Sequence, residues 1–140
     1  MRKILFLLCT AMLAACTSTG SRYDSIYLHD FTIDDMDADE KLWEMASERL
    51  AETGLSILSA DEAHALTPKQ RMSTLKVDIS IDIRSRKVDA DIDIENYQTD
   101  RDLYDKTCKE NLDEPDAMER ALDRALTKGV EWINRQSRQK

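Results

Sequence analysis

Two runs of alternating residues constrain this chain more than anything else in it. Leu75, Val77, Ile79, Ile81 and Ile83 alternate with polar residues, and Val88, Ala90, Ile92 and Ile94 do so again after Arg84-Ser85-Arg86-Lys87. A period of two marks a strand with one buried face, so the pair predicts a β-hairpin. If Ile83 faces Val88, the pairs 81/90, 79/92 and 77/94 are all apolar, and a single register puts every branched side chain on one side. The other side follows by parity. There Asp82 opposes Asp89, Ser80 opposes Asp91, Asp78 opposes Asp93 and Lys76 opposes Glu95.

Facing like charges on paired strands are destabilising by up to about 1 kcal/mol. Three readings of the acidic face Asp78, Asp82, Asp89, Asp91 and Asp93 follow. A one-sided antiparallel sheet has a wet face, and charge there deters aggregation. Carboxylates between strands can hold a divalent cation. An acidic face can also steer and dock a basic partner.

The remaining elements fit around the hairpin. Ser25–Ile33 reads as a central strand with Tyr27, Phe31 and Ile33 on one side and Ile26 and Leu28 on the other. The acidic run Asp34, Asp35, Asp37, Asp39, Glu40 invites comparison with a calcium loop, but Glu40 stands where the turn glycine belongs and Ala46 where the bidentate glutamate belongs. It reads instead as a helix start, capped by Asp37 with Glu40 reciprocating. Leu42, Met45, Ala46 and Leu50 give that helix, 38–53, one buried stripe, with Gly54 as its stop. Leu55–Leu58 is a short strand, and Ser59-Ala60-Asp61-Glu62 and Thr67-Pro68-Lys69-Gln70 open short helical turns. His64 has no second histidine beside it and reads as a surface or packing residue. Leu103–Lys109 fits either an edge strand or a loop. Asp113-Glu114-Pro115 opens a last helix with proline in its first turn, whose apolar face runs from Met118 through Gly129 to Ile133. Trp43 and Trp132 flank the two helical stripes as partial core.

The fold class expected is α+β: a two-layer sandwich, two helices on one face of a mostly antiparallel sheet, in the order β-α-β-β-β-(β)-α. This order is similar to that of small periplasmic lipoprotein domains such as the lipopolysaccharide-assembly lipoprotein, and of TolB amino-terminal and CsgG-like domains. The strand Ile26–Phe31, Glu52-Thr53-Gly54 before Leu55-Ser56-Ile57-Leu58, and the hairpin 75–95 carry the likeness, which is one of topology and transfers no functional residue.

The amino-terminal stretch locates the chain. Arg2 and Lys3 precede an apolar segment, Ile4 to Ala15, of about 12 residues, the size of a secretory core and too short to span a bilayer. Leu13-Ala14-Ala15-Cys16 resembles the lipobox of bacterial lipoproteins, which implies cleavage before Cys16 and a diacylglyceryl thioether upon it, with further acylation, palmitate for instance, at the new terminus. Two or three acyl chains hold a protein essentially permanently. Retention at the inner membrane commonly follows an aspartate at the next position; here Thr17 implies the periplasmic face of the outer membrane. The expected divisions are 1–15 signal peptide, 16–23 lipidated cysteine and tether, 24–136 domain and 137–140 tail.

Loss of residues 1 to 15 leaves 125 residues and moves the formal charge from −8 to −10 as Arg2 and Lys3 depart. So acidic a domain disfavours nucleic acid and anionic headgroups, which need basic patches. Cys108 is then the one free thiol, either buried or paired between chains. Three glycines offer no phosphate loop, and there is no serine elbow, paired-histidine metal motif or CxxC. Neither an enzyme nor a cofactor is expected. The reading carried forward is a non-catalytic binding or assembly factor for an envelope protein with a basic surface; a small cation-binding domain and a passive structural lipoprotein are the alternatives.

Overall fold

The computed structural model describes residues 22–138, with side chains to 136. The lipobox, Cys16 and most of the tether lie outside the described residues. The elements are β1 (Ser25–Ile33), β2 (Met36–Asp37), α1 (Glu40–Ala51), β3 (Ser56–Leu58), α2 (Ala60–His64), α3 (Pro68–Met72), β4 (Thr74–Arg84), β5 (Lys87–Asn96), β6 (Asp102–Asn111) and α4 (Ala117–Arg138). This is the expected α+β sandwich with β6 a full strand. α4 continues to Arg138, two residues into the segment expected as tail.

The sheet order runs β1-β4-β5-β6, with β2 and β3 both on the outer edge of β1. β1 pairs in parallel with β3 and β4, while β1–β2, β4–β5 and β5–β6 are antiparallel. The sheet is therefore mixed, with most of its pairing antiparallel as expected. The crossover β1-α1-β3 is the cause: a helix between neighbouring strands returns the chain in the same direction.

The hairpin has the register the alternation predicts, Ile83 opposite Val88 and Val77 opposite Ile94. β1 departs from simple alternation. Leu28 pairs Val77 and Asp30 pairs Asp78, so His29 is one extra residue, a bulge. The bulge resets parity, and Ile26, Leu28 and Phe31 all enter the core while Tyr27 faces the other side. The expected division of these residues between two faces is corrected accordingly.

α1 begins two residues later than expected, because Asp39 and not Asp37 is the cap: its carboxylate accepts from the Leu42 N–H at 2.9 Å. Asp37 lies in β2, joined to β1 by a two-residue turn in which Asp34 and Asp35 have φ of 50° and 67°. Two successive left-handed residues make a type I′ turn, the hairpin-forming kind. α4 likewise begins at Ala117, two residues after Pro115, because Asp116 has φ 58° and cannot be helical. Both short-helix capping boxes are present, at Ser59/Glu62 and Thr67/Gln70.

Leu42, Ala46 and Leu50 of α1 and Ala121, Leu122, Ala125, Leu126 and Ile133 of α4 meet the apolar side of the sheet in one core. Burying a side chain of this size contributes about 1.5–3 kcal/mol. Arg49 ties the two helices, ion-paired to Asp123 and donating to Thr127 Oγ1 at 2.7 Å. Trp43 packs on Phe31 and Trp132 stacks on Tyr104, with centroids 5.9 and 5.6 Å apart. Cys108 is a buried free thiol.

Candidate functional site

Both long helices occupy one side of the sheet, so its other side is open along most of its length. The five aspartates named from the sequence all point there, since each is paired in register within β4 and β5 at polar positions. The flanking strands extend the set. Asp30 of β1 is opposite Asp78, Asp78 opposite Asp93, and Asp93 opposite Asp105 of β6. Four carboxylates thus stand in one row across four strands. Glu95 and Asp102 form the neighbouring pair, adjoining a second bulge between Ile94 and Glu95.

Basic groups are distributed unevenly over this face. Near the hairpin turn, Arg84 lies 3.7 Å from Asp82 and Lys109 Nζ lies 3.2 Å from Asp89. At the other end Lys76 Nζ binds Glu95 at 3.1 Å and Asp100 at 3.0 Å. The middle is different. Among the described residues Asp78 accepts from His29 Nδ1, at 2.8 Å, and Asp91 from Thr107 Oγ1, at 2.7 Å, neither a lysine nor an arginine. The Oδ1 atoms of Asp89 and Asp93 are buried with no hydrogen-bond partner among the described residues. Of the facing pairs, then, Asp82/Asp89 is the one offset by cations, while Asp78/Asp93 and Asp93/Asp105 are not.

The titration behaviour follows. Burial, together with the charges of Asp102, Glu95, Asp105 and Asp91, pushes the Asp93 carboxyl up to about 6. A hydrogen bond with Asp91, burial, and the charges of Asp91 and Asp102 push Asp105 up to about 6 as well. One ligand atom each from Asp93, Glu95 and Asp102 lie within 4.8 Å of one another, a spacing at which carboxylates can share a cation. Lys76 already stands on the Glu95 member of that trio.

The aromatic side of the face was not visible in the sequence. Tyr27 sits under α2, with ring centroids of His29, His64 and Tyr97 at 5.5, 6.0 and 5.3 Å. His64 Nε2 is 3.4 Å from the Tyr27 hydroxyl, a packing role as expected. Arg71 lies 4.9 Å over the Tyr97 ring. These residues cover one end of the sheet, leaving the acidic middle exposed. Asp30, Asp105 and Asp102 also escaped sequence reading, because their alignment depends on the registers of β1 and β6, each of which carries a bulge.

Among the described residues no helix is long and apolar enough to cross a membrane. No protein-family model matches the chain, and no curated protein matches it. Several solved structures share its outline. Lipoprotein GNA1162 from Neisseria meningitidis is 12% identical over 76% of this chain and 96% of that one, with a TM-score of 0.47. The PelC dodecamer from Paraburkholderia phytofirmans gives 9% identity over 86% and 91%, TM-score 0.48. TolB from Acinetobacter baumannii gives 10% identity and TM-score 0.49, over 78% of this chain and 28% of that one. At such identities the likeness concerns the course of the backbone, and no residue's role passes from those proteins to this one.

Proposed function

We propose that this chain is an envelope lipoprotein, anchored through Cys16 on the periplasmic face of the outer membrane, whose domain binds or helps assemble an envelope protein without catalysing a reaction. The observation that supports this reading is the row Asp30, Asp78, Asp93, Asp105, four carboxylates in register with no lysine or arginine among their paired positions. Their mutual repulsion is a standing cost to the fold, and lysine or arginine side chains of a partner would relieve it on docking. Charge of one sign over a face also accelerates encounter with the opposite sign. A short tether, reaching at most about 20 Å when extended, keeps such encounters near the membrane surface.

The test is chemical crosslinking of intact cells carrying tagged protein, read by mass spectrometry, with Cys16→Ala as the unanchored control. A stoichiometric partner that disappears in Cys16→Ala and in the double variant Asp78→Asn/Asp93→Asn supports the proposal. Capture that is unchanged in the double variant removes this face from it.

The Asp93, Glu95 and Asp102 trio favours a second reading, a divalent-cation site. Calcium titration by calorimetry decides it, since absence of heat at millimolar metal disposes of the idea.

A further inference from the structure

β6 ends the sheet. It is paired to β5 along one side, and among the described residues no strand pairs with the other. A free edge of this length is a template for another strand. The direction of its backbone groups is fixed by the ladder. The Leu112 N–H donates to the Arg86 carbonyl at 2.8 Å, in line with the β5–β6 register. Even-numbered residues from Tyr104 to Glu110 therefore turn their backbone toward β5, and Asp105, Thr107 and Lys109 turn theirs outward. Consistently, Arg124 Nη1, from α4, donates to the outward Lys109 carbonyl at 3.0 Å, an exposed bond that a second strand's N–H would replace.

The outward residues are self-complementary. Two copies of β6 running antiparallel about a twofold axis through Thr107 would place each Asp105 opposite Lys109 of the other copy, both on the open face and both in hydrogen-bonded positions. Neighbouring axes fit less well: through Asp105, Lys106 or Lys109 they set like charges face to face, and through Cys108 they leave Asp105 opposite the uncharged Asn111. Glu110 cannot serve a second copy, being held by Arg120 and Arg124 at 2.9 and 2.7 Å. Lys109 can turn to one, because its bond to Asp89 at 3.2 Å is solvent-screened, with 63% of the lysine side chain exposed, and no lysine or arginine lies opposite Asp105 within its own chain.

We propose that the partner of this edge is a second copy of the chain, joined β6 to β6 with Thr107 on the twofold axis and two Asp105–Lys109 pairs across it. The join makes one continuous sheet whose acidic rows from the two copies lie side by side, each ended by a lysine.

The experiment is disulfide trapping of the full anchored chain in membranes treated with copper phenanthroline, in a Cys108→Ser background. Thr107→Cys is expected to give covalent dimer. Asp105→Cys is not, because its two copies would stand about 14 Å apart. Adding Lys109→Glu or Asp105→Lys to Thr107→Cys should lower the dimer yield at least tenfold, and adding both should restore it. No dimer from Thr107→Cys, equal trapping at 105 and 107, or yields indifferent to the charge swaps would each overturn the proposal. All three positions are exposed, and resistance to limited proteolysis verifies that each variant is folded.

Discussion

Asp93 and Asp105 face each other across β5 and β6, two carboxylates at one step of an antiparallel ladder. Asp91 and Asp102 crowd both. The arrangement makes the open face sensitive to pH in a sense opposite to that of most acidic groups in proteins.

Both carboxyls titrate near 6 in the folded chain and ordinarily near 4. Between those values the folded state holds more protons than the unfolded state, so stability falls as pH rises from about 4 to about 6 and then levels. The pair should make the domain more stable at pH 5 than at pH 7 by on the order of 1 kcal/mol. That is less than the shifts taken at face value, because Asp105 is exposed and screened. Urea denaturation at the two pH values measures it, and Asp93→Asn should raise stability at pH 7 and flatten the difference. A difference of the same size in the variant would place its origin elsewhere.

Gly129 sets how closely α4 lies on the sheet. A β-carbon there would stand 2.7 Å from Cδ1 of Ile92, inside van der Waals contact, and Ile92 is fully buried. Gly129→Val should therefore cost about 2 kcal/mol, overpacking outweighing any gain in helix propensity. Denaturant midpoints report this. In the double variant with Ile92→Ala the loss should be smaller than the sum of the two single losses, because the cavity receives the new methyl groups.

The start of α1 separates two aspartates that look alike in sequence. Asp39 accepts the Leu42 N–H, whereas Asp37 is exposed in the two-residue strand β2. Asp39→Ala should lower stability by about 1 kcal/mol and Asp37→Ala by less than about 0.5 kcal/mol. Thermal denaturation of the pair, side by side, distinguishes them.

What the sequence makes legible depends on how local the deciding interaction is. The β4–β5 hairpin could be read to the residue because ten consecutive positions agree on one register and a one-residue slip would break every apolar pair. β1 could not, because the bulge at His29 is enforced by pairing with a strand about fifty residues away. β6 was ambiguous for a related reason: only Leu103, Tyr104 and Cys108 supply its apolar contacts, as expected of an edge that α4 covers incompletely. The candidate face divides in the same way. Asp78, Asp82, Asp89, Asp91 and Asp93 follow from one hairpin, while Asp30 and Asp105 need the registers of two further strands. The lysine that quiets Asp89 comes from β6 and was equally out of reach, whereas Arg84 beside Asp82 belongs to the hairpin itself.

The two hairpin turns offer the last test, because each strains two residues that are not glycine. Ser85 and Arg86 have φ of 48° and 65°, as Asp34 and Asp35 have 50° and 67°. Left-handed backbone costs an ordinary L-residue about 1 kcal/mol that glycine avoids. Arg86→Gly removes only an exposed ion pair with Asp113 at 3.6 Å, which is worth little, and keeps the backbone bond from Leu112. It should stabilise the domain by about 0.5–1 kcal/mol. Asp35→Gly should act in the same direction. Asp34→Gly should not, because the Asp34 carboxylate accepts the Ile83 N–H at 2.9 Å and so joins the β1–β2 turn to the end of β4. Losing that acceptor offsets the relief of strain, so a shift in denaturation midpoint upward for Asp35→Gly and downward or nil for Asp34→Gly is expected. Equal gains at both positions would mean that the side-chain bond contributes nothing.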